Sequence, residues 1–381
     1  MTQSLLDRDA PRPSLALKVL GLNWGLLLIL VCIACIGFAM LYSAANGHWE
    51  PWASKQAVRF VVSVVIMILV ATIDLRFWLR SAYAIYAGAV LLLVAVELRG
   101  AIGMGAQRWI DLGIIQLQPS EVMKIALVLA LARYFSALTV EEIGRPVRLI
   151  VPALLILVPA VLVLKQPDLG TAMMLVLSGG AMFFLAGVRW WKFALIFAGA
   201  GGAVPVTWRF LRDYQKNRIY TFLNPENDPL GAGYHSLQSK IAIGSGGLFG
   251  KGFMLGSQAH LNFLPEKQTD FIFTMLAEEF GLVGGVVLLA FYTLVFVYGF
   301  AIAFRSRSHF GRLLALGVTV NVFLYVFINT AMVMGLIPVV GVPLPLISYG
   351  GTAMLTVMFG FGLMMCVYVH RDLRLGRGGE E

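Results

Sequence analysis

The sequence predicts an all-α, polytopic membrane protein, and three observations predict it. Of 381 residues, 59% are hydrophobic and only 13% charged, with a mean hydropathy of +0.83; soluble domains do not have that balance. The apolar residues fall in about ten runs, most near the roughly 20 residues one helix needs to cross a bilayer. The arginines sit in short loops between these runs, as the positive-inside rule requires of cytoplasmic loops. That placement accounts for the net charge of +9 without a nucleic-acid partner. Forty glycines and 15 prolines suit close-packed membrane helices with breaks.

Taken in order, residues 1–20 are polar and basic (Arg8, Arg12, Lys18) and read as a cytoplasmic tail with no cleavable signal. Spans one and two fall near 24–45 and 56–73, joined by a turn with interfacial Trp49 and Trp52. Arg76 and Arg80 mark an inner loop before span three, near 82–96. A polar segment, 97–119, leads to span four, near 120–134. Arg133, Arg145 and Arg148 flank the next inner loop. Span five, near 149–164, is expected to bend at Pro152 and Pro159. Span six follows near 170–186, then Arg189 and Lys192, then span seven near 193–208.

Residues 209–269 form one large extracytoplasmic (periplasmic) loop between helices 7 and 8. Seven Lys/Arg against four Asp/Glu leave it about three units positive. On the outer side this runs against the usual bias, and an anionic ligand is a natural reason. Within it, the segment holding Tyr234, Gln238 and Lys240 reads as a short helix under a glycine-rich stretch, 244–252. That stretch is not a phosphate loop: Ser245 stands where the pattern needs Gly, and Gly252 where it needs Ser or Thr. The next run, 270–304, would reach roughly 50 Å as a straight helix. It is expected to project outward or to bend near Gly281 and Gly284–Gly285. Arg305, Arg307 and Arg312 mark the following inner loop, span nine lies near 313–335 and span ten near 351–368. Residues 370–381 are a second cytoplasmic tail, so 1–381 makes a single integral membrane domain.

The polar residues that need explaining are few. Thr269 and Asp270 have N-cap chemistry for the eighth span. Asp270 also stands at the lip of an apolar helix, where partial desolvation raises a carboxylate's pKa and makes it a usable base. Ionisable groups inside spans need a partner or a function. Glu121 and Lys124 are three apart on one helix face, and Asp168, opening span six, is a third member of either a buried ionic bracket or a polar cavity. Arg59 and Arg108 either snorkel to lipid phosphate or bind the phosphates of a lipid carrier. Arg218 is a further outer cation, or half of a salt bridge with Glu226 or Asp228. Ser348 either caps span ten or orients a substrate, and Glu266 is a second acid near Asp270. Cys32 and Cys35 read as helix packing, and the five His residues show no zinc spacing.

The stretches HLNFLPEKQTDFIF, GAQRWIDLGIIQLQPSE, LKQPDLGTAM and PLPLISYGGTAML together resemble the SEDS family of bacterial cell-wall polymerases, over nearly the whole chain. The wording around QAHLNFLPEKQTDFIF is closer to the rod-elongation branch than to the division branch. The resemblance implies the SEDS fold and a peptidoglycan glycosyltransferase that polymerises lipid II at the outer face of the bacterial inner membrane. It makes Asp270 the essential acid, acting as general base on the acceptor GlcNAc 4-hydroxyl. It puts Glu121, Lys124 and Asp168 in a polar cavity leading to Asp270, with Ser348 close by. Arg59, Arg108, Arg218 and Lys240 become the candidate cations for the pyrophosphate. No metal cage is legible, although the chemistry admits a divalent cation, Mg2+ or Mn2+. The implied partners are a class B penicillin-binding protein and other elongasome proteins. The rival readings are a lipid II flippase and a non-catalytic elongasome scaffold.

Overall fold

The computed structural model describes residues 14–99, 101–103, 106–111, 116–210, 213–224, 232–261, 263–264 and 266–376. A short α1 (Leu15–Leu20) precedes α2 (Trp24–Ala44), α3 (Ala53–Thr72) and α4 (Leu75–Arg99). Three short strands follow: β1 (Ala101–Gly103), β2 (Ala106–Asp111) and β3 (Gln116–Leu117). Then come α5 (Pro119–Ala137), α6 (Val140–Ile143), α7 (Pro146–Lys165), α8 (Leu169–Leu185) and α9 (Trp190–Phe210). Helices α10 (Asp213–Leu223), α11 (Ala232–Gly246) and α12 (Ser257–His260) lie within the expected large loop. The chain ends in α13 (Ile272–Arg305), α14 (His309–Val333) and α15 (Gly351–Val369).

Seven of these, α2, α3, α4, α7, α13, α14 and α15, are long and apolar enough to cross a membrane. Helix α8 is apolar but only 17 residues long. Helices α5 and α9 stand where the fourth and seventh spans were expected. Local chemistry sets the starts. Asn23 accepts from Leu26 N–H at 3.1 Å, and Ser308 from Gly311 N–H at 3.2 Å. Pro119 opens α5 and Pro146 opens α7, where a missing N–H is harmless.

Two expectations need correction. Span three begins not near Ala82 but at Leu75, because the Asp74 carboxylate accepts from Arg76 N–H at 2.8 Å and nucleates the helix there. Arg76 and Arg80 therefore ride on α4 itself. The polar segment before α5 is a small antiparallel meander, β1-β2-β3, in which Trp109 pairs with Ala101 and Ile110 with Leu117. The hydroxyl of Thr352 donates to the Gln116 carbonyl at 2.7 Å and ties this meander to α15.

The core is built round α5. Almost every residue from Pro119 to Ala132 is buried, on all sides of the helix, which marks an interior helix rather than an amphipathic one. The most buried of the seven crossing helices are α14 and α15; α4 and α7 leave broad apolar faces outward. Helix α13 breaks at Gly281 (φ 67°, ψ −161°), where the long run was expected to bend. Its first half, Ile272–Phe280, is thereby set off from the second. The N–H groups of Leu282 and Val283 donate to the Gly247 and Leu248 carbonyls, at 2.9 and 3.1 Å, so the glycine-rich stretch docks into the break. A side chain at 281 would meet the backbone of Leu248 and Gly250, in a conformation essentially reserved for glycine. We expect Gly281→Ala to destabilise the protein by about 2 kcal/mol or more, read as a lower melting temperature in detergent. An unchanged melting temperature would contradict the break.

Candidate active site

Asp270 is not the helix cap its position suggested. The cap position of α13 is Phe271, which makes no side-chain capping bond. Instead the Glu266–Phe271 turn folds on itself: Thr269 N–H and Phe271 N–H both donate to the Glu266 carbonyl, at 3.1 and 3.4 Å. The Thr269 hydroxyl donates to the Glu266 carboxylate at 3.0 Å. The Asp270 carboxylate is left half-buried beside Gly341, where an added Cβ would stand 3.4 Å from its Oδ2. Among the described residues it accepts no hydrogen bond. Its pKa is raised to about 6, first by burial and then by the charges of Glu266 and Asp168, both close enough to repel it. The sequence's second acid, Glu266, thus does stand near the first.

The segment after α14 holds this turn in place. Tyr349 N–H donates to the Gln268 carbonyl at 2.8 Å. Ser348 Oγ donates to the Thr269 carbonyl at 2.6 Å while accepting from Leu344 N–H at 2.8 Å. Ser348 is 4% exposed and does not cap α15, whose cap position is Gly350. Its hydroxyl is committed to backbone, so it shapes the site rather than facing a substrate. Gln56 on α3 in turn donates to the Ser348 carbonyl at 2.9 Å.

The other candidates separate. Lys124 and Glu121 form a buried ion pair at 2.7 Å, and Tyr325 donates its hydroxyl to the other Glu121 oxygen. The Lys124 ammonium also lies over the Tyr325 ring, 4.2 Å from its centre. Asp168 does not join that pair. It caps α8, accepting from Thr171 N–H at 3.0 Å and Thr171 Oγ1 at 2.9 Å. The expected three-member bracket is therefore Glu121, Lys124 and Tyr325, because the start of α8 has the stronger claim on Asp168. Arg108 donates to the Gln166 and Pro167 carbonyls in the α7–α8 connection. Lys240 is exposed, its stem lying over Gly335. The guanidinium of Arg59 lies over the Tyr349 ring at 4.8 Å, with Nη1 buried and unpaired among the described residues. It borders an open groove of about 300 Å³ with Ser54, Lys55 and Val58. Arg218 is in α10, and its side chain lies outside the described residues.

Glu278 and Glu279 were passed over in the sequence, although two adjacent acids in an apolar helix meet the same test that singled out Glu121. Both are fully buried. Glu278 pairs with Lys251 at 2.7 Å and accepts from Gln258 N–H at 3.0 Å. Glu279 accepts from Ser43 at 2.5 Å and faces His260 at 3.3 Å. Glu278 fastens the glycine-rich stretch to α13 through Lys251, and Glu279 ties α13 to α2 and α12. No group of three or more His, Cys, Asp or Glu that could hold a metal occurs among the described residues. Among the described residues Asp168 is bonded to Thr171 and Glu266 to Thr269, so no preformed carboxylate set for Mg2+ or Mn2+ is assembled there.

This architecture defines a multi-pass, mostly helical membrane protein with, just before a long apolar helix, a carboxylate that accepts no hydrogen bond among the described residues. The chain belongs to the FtsW/RodA/SpoVE family, described as cell cycle proteins, whose model matches residues 19–373. It is 45% identical over 353 residues to a protein of Escherichia coli strain K12 named peptidoglycan glycosyltransferase MrdB, covering 91% of this chain and 94% of that one. It is 33% identical to the peptidoglycan glycosyltransferase RodA of Treponema pallidum, over 90% and 96% of the two chains. Among solved structures, a peptidoglycan synthase complex that coordinates polymerisation and crosslinking contains a chain that matches with TM-score 0.79 and 31% identity, over 92% and 98%. The rod shape determining protein RodA of Thermus thermophilus matches with TM-score 0.70 and 29% identity, over 92% and 98%.

Proposed function

We propose that the chain is a peptidoglycan glycosyltransferase that polymerises lipid II into glycan strands during cell elongation, with Asp270 as its general base. The names of its relatives support the reaction class. The observation that carries the residue assignment is that its carboxylate, unlike the neighbouring acids, is not bonded among the described residues. Glu121, Asp168, Glu266, Glu278 and Glu279 all accept hydrogen bonds. Asp270 accepts none among the described residues, and it has a pKa near working pH.

In this reading Asp270 takes the proton of the acceptor GlcNAc 4-hydroxyl as that oxygen attacks the anomeric carbon of the donor MurNAc. The bond from that carbon to undecaprenyl pyrophosphate breaks, and the configuration inverts. The departing pyrophosphate needs positive charge. Arg59 and Lys55 border the open groove, Arg59 Nη1 having no partner among the described residues, and Arg218 and Lys240 in the 209–269 loop supply a wider positive field. Arg108 is instead bonded to the Gln166 and Pro167 carbonyls of the α7–α8 connection. The site lies on the periplasmic side of the inner membrane, with ten spans and both tails cytoplasmic. A class B penicillin-binding protein crosslinks the product within the elongasome; a complex among the structural neighbours supports such a pairing.

The pKa gives a test. Only the ionised carboxylate can accept a proton, so polymerisation of purified lipid II should rise with pH, reach half its plateau near 6 and level off above. The stability effect has the opposite sign. Unfolded Asp270 releases its proton near its ordinary value of 3.8 and folded Asp270 near 6. Folding therefore retains a proton between those values, and Asp270's contribution to stability falls as pH rises through that window. A flat rate from pH 5 to 8, with substrate saturating, would remove Asp270 as base.

A further inference from the structure

We propose that Asn329 on α14 is a positioning residue for Asp270, an inference that rests on the general-base reading above. Three successive carbonyls, at 268, 269 and 270, each accept one hydrogen bond from the C-terminal part of the chain. Tyr349 N–H serves the first at 2.8 Å, Ser348 Oγ the second at 2.6 Å and Asn329 Nδ2 the third at 2.9 Å. Among the described residues Asn329 alone reaches the backbone of Asp270 itself. Its Nδ2 donates a second bond to the Val342 carbonyl at 2.7 Å. One amide group thus fastens the base to the segment whose Gly341 borders its carboxylate.

The chemistry explains why the residue is asparagine. Two carbonyls must be served from one point, and a side-chain amide nitrogen carries two protons. A serine hydroxyl carries one, an ionised aspartate none, and leucine of similar size leaves both carbonyls unserved. Asn329 is fully buried, and its Oδ1 has no partner among the described residues. A core position retains such a group at a cost in stability. The cost is intelligible if the two donated bonds fix a geometry that catalysis needs, because a displacement of about 1 Å at a reacting group can lower a rate about 100-fold. Asn329 touches the backbone of Asp270 and not its carboxylate, so it acts through Asp270.

The test is steady-state polymerisation of lipid II by full-length protein purified with its class B penicillin-binding protein partner. Wild type, Asn329→Leu, Asn329→Ser and Asp270→Asn are compared, each with a melting temperature. Asn329→Leu is expected to lower kcat about 10- to 100-fold, with KM for lipid II changed less than about threefold. Its pH midpoint should move from about 6 towards the ordinary aspartate value, as the carboxylate swings out while Glu266 and Asp168 stay in place. A merely structural asparagine would lower the yield of folded protein and leave that midpoint alone. Should Asn329→Leu not fold, Asn329→Ser, which keeps one donor, is expected to show the same two changes at smaller size. A folded variant with wild-type kcat and an unmoved midpoint would overturn the proposal. If Asp270→Asn is inactive in that same comparison, only the role of Asn329 fails; if Asp270→Asn is active, the general-base reading itself fails.

Discussion

Asp270→Asn is expected to lower glycan formation by about 100- to 10,000-fold, the range a positioned general base supplies, while the protein stays as stable as wild type. Both halves follow from the geometry. Asparagine has the size of aspartate but cannot accept a proton at working pH. The carboxylate accepts no hydrogen bond among the described residues, so the exchange breaks none of those. It also removes a half-buried negative charge that Glu266 and Asp168 repel. The melting temperature should be equal to wild type or slightly higher. A catalytic group that is free and electrostatically strained can be neutralised without harm to the fold. Glu266→Gln is the informative companion. Glu266 repels Asp270 and is bonded to Thr269, so its neutralisation should lower the pH midpoint of the rate without abolishing it. A folded Asp270→Asn protein that polymerises lipid II at the wild-type rate would end the assignment. An unfolded one would show that the carboxylate has a partner in the fold.

The sequence disclosed what depends on composition and on charge along the chain. The apolar runs and the break at Gly281 in a run too long for one crossing were legible, whereas Arg76 and Arg80, read as a loop, lie on α4. So was the i, i+3 pairing of Glu121 with Lys124, because helix geometry puts both on one face. Contacts between distant segments were not. Tyr325 is 204 positions from Glu121, and Ser348 is 79 from Thr269. Nothing local in either sequence window specifies such a meeting. Ser348 looked like a substrate hydroxyl because hydroxyls serve both tasks; only the two backbone groups at hydrogen-bond distance separate them. Asp270 looked like a helix cap because aspartate often is one, and the turn anchored on the Glu266 carbonyl moved the helix start past it. The meander at 101–117 was missed because its strands are only three, six and two residues long. Alternation over so few positions carries little signal.

Removing one member of the Glu121–Lys124 pair should produce the largest loss of stability of any single change considered, about 3–5 kcal/mol. The side chains of Lys124 and Glu121 are 2% and 4% exposed, and they lie on α5, which is enclosed on all sides. Lys124→Met keeps the stem and removes the ammonium, leaving Glu121 with only the Tyr325 hydroxyl. A lone carboxylate in that interior must bind a proton or pull α5 out of register, and either is costly. Taking both charges away is a different experiment. In the double variant Glu121→Gln with Lys124→Met, the introduced glutamine amide can still accept from Tyr325 and the volumes are nearly kept. Replacing a buried pair by neutral groups is often close to neutral in stability. The double variant should therefore melt within about 1–2 kcal/mol of wild type, and with each single loss at about 3–5 kcal/mol a double-mutant cycle should give a coupling of at least about 4 kcal/mol. Additive losses would show that the two charges do not depend on one another. The same double variant separates the bracket from the cavity reading of these residues. If their charges only hold α5 to α14, polymerisation of lipid II should return with the fold. A double variant that is stable but inactive would give the pair a second task on the path to Asp270.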